Sequence, residues 1–144
     1  MQVEGTIEIA APIADVFAFV ADPRNDPLWC PKVEAVTPAG DGPGPGAEYV
    51  VLHRPIPLRP AREMRYRLVD WDPPKEIHWR EDDGHDRIEV GYLLQALSAD
   101  ATRFTQRDDL ALGTPRVLHP FFRAGIRHDI NHQLQRLRDH LLAP

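Results

Sequence analysis

The sequence predicts an α+β fold: a curved antiparallel sheet of six to seven strands around a long C-terminal helix, with two short helices after the first strand. Two observations lead to this prediction. Residues 3–9 and most of residues 32–112 form alternating or β-branched runs, which are typical of strands. Residues 13–20 and 126–141 instead repeat apolar side chains every three to four positions, as amphipathic helices do.

The N-terminal segment predicts one strand followed by two short helices. The apolar face of the strand consists of Val3, Gly5, Ile7 and Ile9. Pro12 suits the first turn of a helix, because a proline lacks only a donor that the first turn leaves unpaired. The apolar face of that helix consists of Ile13, Val16, Phe17 and Val20. Residues 26–29 predict one further helical turn before Pro31.

The middle of the chain predicts an antiparallel meander. The predicted strands are residues 33–36, 48–53, 63–71, 76–80, 87–97 and 102–110. Short turn sequences separate most of them, and consecutive strands joined by tight turns pair antiparallel. The glycine- and proline-rich residues 38–46 break both helix and strand, so they predict one long hairpin connection.

The C-terminal segment predicts a long helix whose apolar stripe packs against the sheet. Thr114 and Pro115 resemble a helix cap and first turn, and Pro120 would kink or restart the helix. The stripe consists of Ile126, Ile130, Leu134, Leu137 and Leu141. One helix cannot fill the whole concave face of so wide a sheet. The fold therefore predicts a cavity between them, and cavities of this apolar kind bind ligands.

Composition excludes several classes of protein. A length of 144 residues predicts one domain, residues 1–144. No apolar run is long enough for a membrane span, and the first ten residues resemble neither a signal nor a transit peptide. With 17 basic against 22 acidic side chains, no nucleic-acid partner is expected. The single cysteine, Cys30, excludes an internal disulfide and fits a reducing cytoplasm, where we expect the protein.

Three segments resemble a known superfamily. They are IEIAAPIADVFAFVADPRNDPLW, LVDWDPPKEIHWR and LQRLRDHL, at residues 7–29, 68–80 and 134–141. Together with the order of elements they resemble the START-like (SRPBCC) superfamily, which has the helix-grip fold, and within it the polyketide cyclase/dehydrase-like and lipid-transport-like group. The resemblance implies an internal ligand cavity. It does not select a function, because that superfamily includes carriers, cyclases and receptors, and no catalytic motif of theirs can be matched here.

The predicted ligand-binding residues are inward positions of the strands and of the long helix, together with aromatic residues near the cavity mouth. They are Trp29, Tyr49, Met64, Tyr66, Tyr92, Phe104, Gln106, Phe121, Phe122, Ile126 and Ile130. Trp29, Phe121 and Phe122 would form an aromatic gate over the mouth. Ordinary core packing is the alternative for these three, and it explains the tyrosines equally well.

Three residues are candidate catalytic groups. Asp108 shares a strand face with Phe104 and Leu110, so its carboxyl would face the cavity, where burial raises a carboxyl pKa and favours acid–base chemistry. Tyr66 would add a hydroxyl. His53 faces the cavity only if the Tyr49 face of its strand points inward. The alternatives are that Asp108 is wet or ion-paired at the strand end and that His53 lies on the surface.

The sequence HDINH at residues 128–132 has the outline of a metal-binding H-E-x-x-H motif. At 100° per residue, His128 and His132 point about 160° away from Ile130 and hence away from the apolar stripe. We therefore expect both to be solvated, with no metal and no cofactor. Cys30 is expected to be a small buried residue rather than a nucleophile.

These observations lead to three hypotheses. The first is binding or carriage of a small hydrophobic organic ligand, which is lipid-, polyketide- or aromatic-like, in the cavity. The second is a polyketide cyclase, aromatase or dehydratase that uses acid–base residues in the same cavity. The third is an interaction module, such as a homodimer that forms through the sheet edge or the outer face of the long helix.

Overall fold

This computed structural model describes residues 1–111 and 113–142; Leu112, the last residue of the predicted strand region, and residues 143–144 lie outside them. The strands are β1 (Gln2–Ile9), β2 (Val33–Pro38), β3 (Glu48–His53), β4 (Arg62–Asp72), β5 (Glu76–Asp82), β6 (Arg87–Ser98) and β7 (Ala101–Ala111). The helices are α1 (Ile13–Val20), α2 (Asp26–Trp29) and α3 (His119–Leu142), with 3-10 turns at Pro23–Asn25 and Arg116–Leu118.

The strands form one antiparallel sheet in the order β1-β7-β6-β5-β4-β3-β2. Strands β2 to β7 follow one another as a meander, and β1 adds to the far edge by pairing with β7 from Gln2 opposite Asp109 to Ile9 opposite Thr102. The predicted α+β fold is confirmed: a seven-stranded curved sheet, two short helices after β1 and one long C-terminal helix.

Alternation along the strands determines which face of the sheet is buried. The inward side chains are almost completely buried and include Val3, Ile9, Val51, Ile77, Trp79, Val90 and Phe104. Cross-strand ion pairs cover the outer face, for example Arg107 with Glu4 at 2.9 Å and Arg80 with Glu89 at 2.8 Å. These exposed pairs contribute little stability but keep the outer face polar.

Helix α3 packs chiefly against β1 and α2 rather than against the middle of the sheet. Its stripe buries Ile130, Leu134 and Leu137. The helix approaches β1 at Gly5, where an added Cβ would lie 2.8 Å from the Ile130 Cγ2. At the other end, α1 closes the concave face, with the Phe17 ring 5.1 Å from Trp71. Space therefore remains between α3 and strands β4 to β7.

Three local features bear on the predictions and on the site. Strand β5 continues to Asp82 instead of ending at Arg80, so Glu81 belongs to the sheet. Helix α3 begins at His119, directly after the 3-10 turn Arg116–Leu118, so the helix restarts at Pro120, which is one of the two outcomes expected for this proline. The register between β4 and β5 shifts between Leu68 and Asp70, and this shift places Asp70 opposite His78. Among the described residues, no helix is both long enough and apolar enough to cross a membrane.

Candidate functional site

A cavity of about 200 Å³ lies between the concave face of the sheet and helices α2 and α3. Its apolar lining consists of Val33, Pro55, Met64, Ile88, Val90, Leu110, Ile126 and Ile130. Its polar lining consists of Asp26, Cys30, Lys32, His53, Tyr66, Glu81, Tyr92, Gln106, Asp108, Asp129 and Gln133. The cavity therefore has hydrophobic walls with an unusual number of acidic and hydroxyl groups.

Larger grooves of about 380 Å³ and about 410 Å³ lie elsewhere on the surface. The first is lined by strand residues of the outer face, where Arg65 pairs with Glu48 at 2.5 Å and Arg87 with Asp82 at 3.4 Å. The second lies beside residues 55–62. The carboxyl withdrawn from solvent in the first groove, Asp83, is paired with Arg62 at 3.1 Å, and the second groove is lined by no carboxyl or tyrosine, so the cavity beneath α3 is the candidate site.

Four carboxyls line the cavity: Asp129 of α3 pairs with Lys32, and the other three come from three different elements, Asp26 from α2, Glu81 from β5 and Asp108 from β7. Sheet register brings in the hydroxyls, because Tyr66 lies opposite Glu81 and Tyr92 lies opposite Gln106. Within residues 1–111 and 113–142, none of the three carboxyls has a cationic partner within ion-pairing distance. The bases of the described residues therefore leave these three carboxyls without an ion pair.

Burial favours the protonated form of two of these carboxyls. Desolvation raises the pKa of Asp26 well above its usual range, and the nearby Trp29 indole and Asp22 charge have smaller, opposing effects. The Trp29 Nε1 itself has no hydrogen-bond partner of good geometry among the described residues. Desolvation also raises the pKa of Glu81 well above its usual range, and the charges of Asp108 and Asp26 add to this rise.

Asp108 differs from the other two carboxyls. Burial raises its pKa from 3.8 to about 6, and a hydrogen bond from Gln106 limits the rise. The Gln106 Nε2 donates to the Asp108 Oδ1 at 3.1 Å, and the Gln133 Nε2 donates in turn to the Gln106 Oε1. Because this amide chain connects α3 to β7, it fixes the Asp108 carboxyl in place. Asp108 is the carboxyl of the three that ionises near neutral pH.

The cavity mouth combines an ion pair with a neutral histidine. Lys32 donates to the Asp129 carboxylate of α3, and the pair lies at the rim. The pKa of His53 falls from 6.5 to about 4, first because of desolvation and then because of the charges of Lys32 and Arg62. Because its pKa is this low, His53 is uncharged at neutral pH and adds no positive charge at the rim.

The structure places all three predicted catalytic residues, His53, Tyr66 and Asp108, in the cavity lining. The inward face of β3 is the one that carries Tyr49 and Val51, which are 2% and 0% exposed, and His53 follows on that face. Of the predicted ligand-binding residues, those in the lining are Met64, Tyr66, Tyr92, Gln106, Ile126 and Ile130.

The other predicted ligand-binding residues lie outside the lining. Three are core residues behind the cavity wall: Trp29 packs 5.8 Å from Tyr92 and 6.2 Å from Phe104, and Tyr49 packs against Trp79. Their rings pack against other aromatic rings, so they support the cavity wall without lining the cavity.

The aromatic gate expected at the mouth does not form. Phe121 and Phe122 are 77% and 41% exposed. At 100° per residue, Phe121 points about 180° from Ile130 and Phe122 about 80° from it, so neither follows the stripe into the cavity. Trp29, the third gate residue, is fully buried.

Sequence reasoning missed the acidic residues Asp26 and Glu81. Glu81 continues the i, i+2 alternation of Ile77 and Trp79, so a longer strand would have revealed its inward position. Asp26 lies three residues before Trp29, on the same face of a helical turn as that buried ring. No local signal shows that this turn lies beneath the sheet.

The histidines of the HDINH sequence, His128 and His132, are both exposed on α3. In the part of the chain that the structure describes, the ligand atoms of Asp70, Glu76 and His78 lie within 4.8 Å of one another. The bulge in β4 brings Asp70 beside His78 on the outer face. This trio lies outside the cavity lining.

Comparison with known proteins agrees with this architecture. The family described as polyketide cyclase / dehydrase and lipid transport matches residues 1–142. A START superfamily protein from Mycobacterium smegmatis is 16% identical, with 96% of this chain and 95% of that chain covered and a TM-score of 0.79. The Zhui aromatase/cyclase from Streptomyces sp. R1128 is 19% identical, with 97% and 92% covered and a TM-score of 0.78. The protein TTHA0849 from Thermus thermophilus is 15% identical, with 99% and 97% covered and a TM-score of 0.81.

A comparison with curated protein sequences finds no significant match. The helix-grip architecture defines the class of fold, and its structural neighbours share that fold at low identity. Because the family match covers residues 1–142, the chain belongs to the polyketide cyclase/dehydrase and lipid-transport family. This membership is consistent with ligand binding or with cyclase chemistry and does not select between them.

Proposed function

We propose that this protein binds a small organic molecule in the cavity beneath α3. The observation that carries the proposal is a cavity of about 200 Å³ with hydrophobic walls and three carboxyls that, among the described residues, have no ion-pair partner. Apolar walls with a few convergent polar groups are the usual form of a ligand site, since the walls supply affinity and the polar groups orient the ligand.

The volume limits the size of the ligand. Pockets for drug-sized molecules measure roughly 300–1,000 Å³, and about 200 Å³ falls below that range. A single substituted ring or a short chain would fit, whereas a fused polycyclic polyketide would require the cavity to widen. We therefore propose a ligand no larger than one or two rings or a short chain, which narrows the lipid-, polyketide- or aromatic-like class expected from the sequence.

Fluorescence titration with 2-naphthol tests this proposal. We expect saturable binding with one site per chain, and we expect Val90→Phe to abolish it, because Val90 is 4% exposed and lines the cavity. Val69→Phe is the matched control, since Val69 is 51% exposed on the same sheet. Circular dichroism establishes that both variants fold. Equal binding by wild type and Val90→Phe would contradict the proposal.

The second candidate function is acid–base catalysis on an enolisable ketone. The observation that favours it is the contrast among the carboxyls: the pKa of Asp108 is raised to about 6, whereas burial raises the pKa of Glu81 well above its usual range. Environments that separate the pKa values of neighbouring groups are typical of acid–base pairs. Asp108 would accept the proton from the carbon beside the carbonyl, and Tyr66 would donate a hydrogen bond to the carbonyl oxygen.

Deuterium exchange into the methyl group of acetophenone, followed by NMR, tests the catalytic candidate. We expect exchange to rise with pH through an apparent pKa of about 6 and to be lost in Asp108→Asn. Asp109→Asn is the matched control, because Asp109 is the next residue of β7 and its side chain is 64% exposed. Exchange at the rate of buffer alone, or unchanged exchange in Asp108→Asn, would exclude this function for the site.

A further inference from the structure

We propose that the ligand of this cavity is a small organic cation, such as a protonated primary amine attached to an aromatic or short aliphatic group. The inference deepens the proposed function and rests on it. Asp26, Glu81 and Asp108 contribute carboxyls from three separate elements, and within the described residues none has an ion-pair partner. A ligand that brings a positive charge would supply the missing partner.

The arrangement of these carboxyls fits an organic cation better than a metal ion. Among the described residues, the one group of three ligands whose donor atoms lie within 4.8 Å of one another is Asp70, Glu76 and His78, outside the cavity. The cavity carboxyls are too dispersed to form such a group. An ammonium group with three N–H donors and a hydrocarbon body instead contacts separated acceptors and apolar walls together.

Two tyrosines complete the site. Tyr66 and Tyr92 are each 6% exposed and line the cavity. The hydroxyl of Tyr92 makes no hydrogen bond within residues 1–111 and 113–142, so it is a polar group that a ligand would satisfy. Tyrosine rings also attract cations through their faces, and this attraction strengthens when water is excluded. Val90 and Ile88 offer an apolar surface for the hydrocarbon body.

The remaining titratable groups around the cavity do not oppose a cation. The positive charge of Lys32 is matched by Asp129 at the rim, and Arg62 pairs with Asp83 at 3.1 Å.

His53 is neutral because its pKa is lowered to about 4. Burial raises the pKa of the Cys30 thiol, so that group is also uncharged. The charge of Arg136 on α3 has a small opposing effect on the pKa of Cys30. Arg136 does not line the cavity, and its guanidinium donates to the Leu28 carbonyl at 3.3 Å.

Cation binding must balance protons. Where the ammonium meets an ionised carboxylate, such as Asp108 above its pKa of about 6, no proton is exchanged. Where it meets a protonated carboxyl, such as Glu81, that carboxyl releases a proton to solvent as the cation enters. Affinity for the amine therefore increases with pH while the amine stays protonated. A neutral ligand of the same shape has no such dependence.

Isothermal titration with benzylamine and with its neutral counterpart benzyl alcohol tests the inference. At about pH 8 we expect benzylamine to bind at least about tenfold more tightly than benzyl alcohol, which is the lower limit for a close, desolvated charge pair. Lowering the pH to about 5.5 should weaken benzylamine binding and leave benzyl alcohol unchanged, because the carboxyls then hold their protons.

Four variants locate the effect. Asp108→Asn and Glu81→Gln should each reduce the preference for benzylamine, whereas Asp109→Asn and Asp82→Asn, on the outer face of the same strands, should retain it. If benzyl alcohol binds as tightly as benzylamine, the inference is wrong and the proposed function stands. If neither compound binds, both fail. A preference for benzylamine that survives Asp108→Asn and Glu81→Gln would also overturn the inference, because the cation would then bind elsewhere.

Discussion

At the scale of single residues, Asp108 and His53 illustrate how one cavity shifts two ionisable groups in opposite directions. Burial disfavours the charged form of each, so it raises the pKa of Asp108 from 3.8 to about 6 and lowers that of His53 from 6.5 to about 4. Both groups are uncharged between about pH 4 and pH 6, and outside this range one of them bears an unfavourable buried charge.

The pH dependence of stability follows from the sign of each shift. For Asp108 the folded pKa exceeds the unfolded one, so the folded protein binds the proton first and loses stability as pH rises from 3.8 to about 6. For His53 the folded pKa is the lower one, so stability is lost as pH falls from 6.5 to about 4. The two contributions oppose each other across the same range of pH.

Asp108→Asn should raise the free energy of unfolding at pH 8 by at most about 3 kcal/mol and leave it nearly unchanged near pH 4. The reason is that the substitution removes a buried charge that exists only above the folded pKa of about 6. Urea denaturation across this range of pH measures the effect, with Asp109→Asn as the control. A drop in stability at pH 8 would contradict the assigned burial.

His53→Gln should have the mirror-image profile. We expect a gain in the free energy of unfolding near pH 5, where wild-type His53 resists protonation, and no change at pH 8, where the ring is neutral in both folded and unfolded states. His128→Gln, at an exposed position of α3, serves as the control. The account of the cavity mouth fails if the two variants behave alike.

The sequence revealed the position of Asp108 because strand alternation is local information, readable from Phe104 and Leu110 on either side. Asp26 could not be located in this way. It lies in a single helical turn, and its burial depends on how α2 packs against α3 and the sheet. The acidic side chains that line a cavity are thus only partly predictable from the sequence, because each one belongs to an element whose placement depends on distant contacts.

At the scale of elements, the packing of α3 on β1 determines the height of the cavity roof. Gly5 lies directly beneath the helix, and an added Cβ would be 2.8 Å from both the Ile130 Cγ2 and the Asn131 Oδ1. Such distances are too short for any side chain, so the helix can rest on β1 only because this position is glycine. The sequence showed Gly5 on the buried face but not which element it contacts.

Gly5→Ala should therefore destabilise the fold by about 1–3 kcal/mol, as overpacked core substitutions do. Gly125→Ala is the matched control, because Gly125 lies in α3 with no atom near its would-be Cβ and should gain about 0.5–1 kcal/mol from helix propensity. Thermal or urea denaturation measures both. Equal and small effects at the two glycines would show that α3 does not rest on β1 as described.

At the scale of the whole molecule, the cavity results from a mismatch in width. Seven strands present a concave face much wider than the single stripe of α3, and α1 fills only one end of it. This reasoning was available from the sequence, since it needs only the number of strands and helices. The small volume of the cavity and its acidic lining could not be predicted from the sequence, because both depend on side chains that converge from α2, β5 and β7.

Self-association is a separate property of the whole molecule, and a homodimer stays a prediction. Val117, just before α3, and Phe121, in its first turn, are each 77% exposed. Exposed apolar residues that cluster are typical of interaction surfaces. Light scattering should then give a mass twice the chain's 16.3 kDa, reduced to one chain by Phe121→Ser but not by Leu58→Ser in the loop. A wild-type mass of one chain would exclude this dimer.

A crystal soaked in 4-bromophenol shows whether a small molecule enters the cavity beneath α3. Bromine gives an anomalous signal that locates the ligand without reference to the protein's own atoms. The account predicts a bromine peak enclosed by Met64, Val90 and Ile130, with the phenol hydroxyl toward the carboxyls. Bromine peaks confined to the outer surface, with side chains filling the cavity, would contradict it.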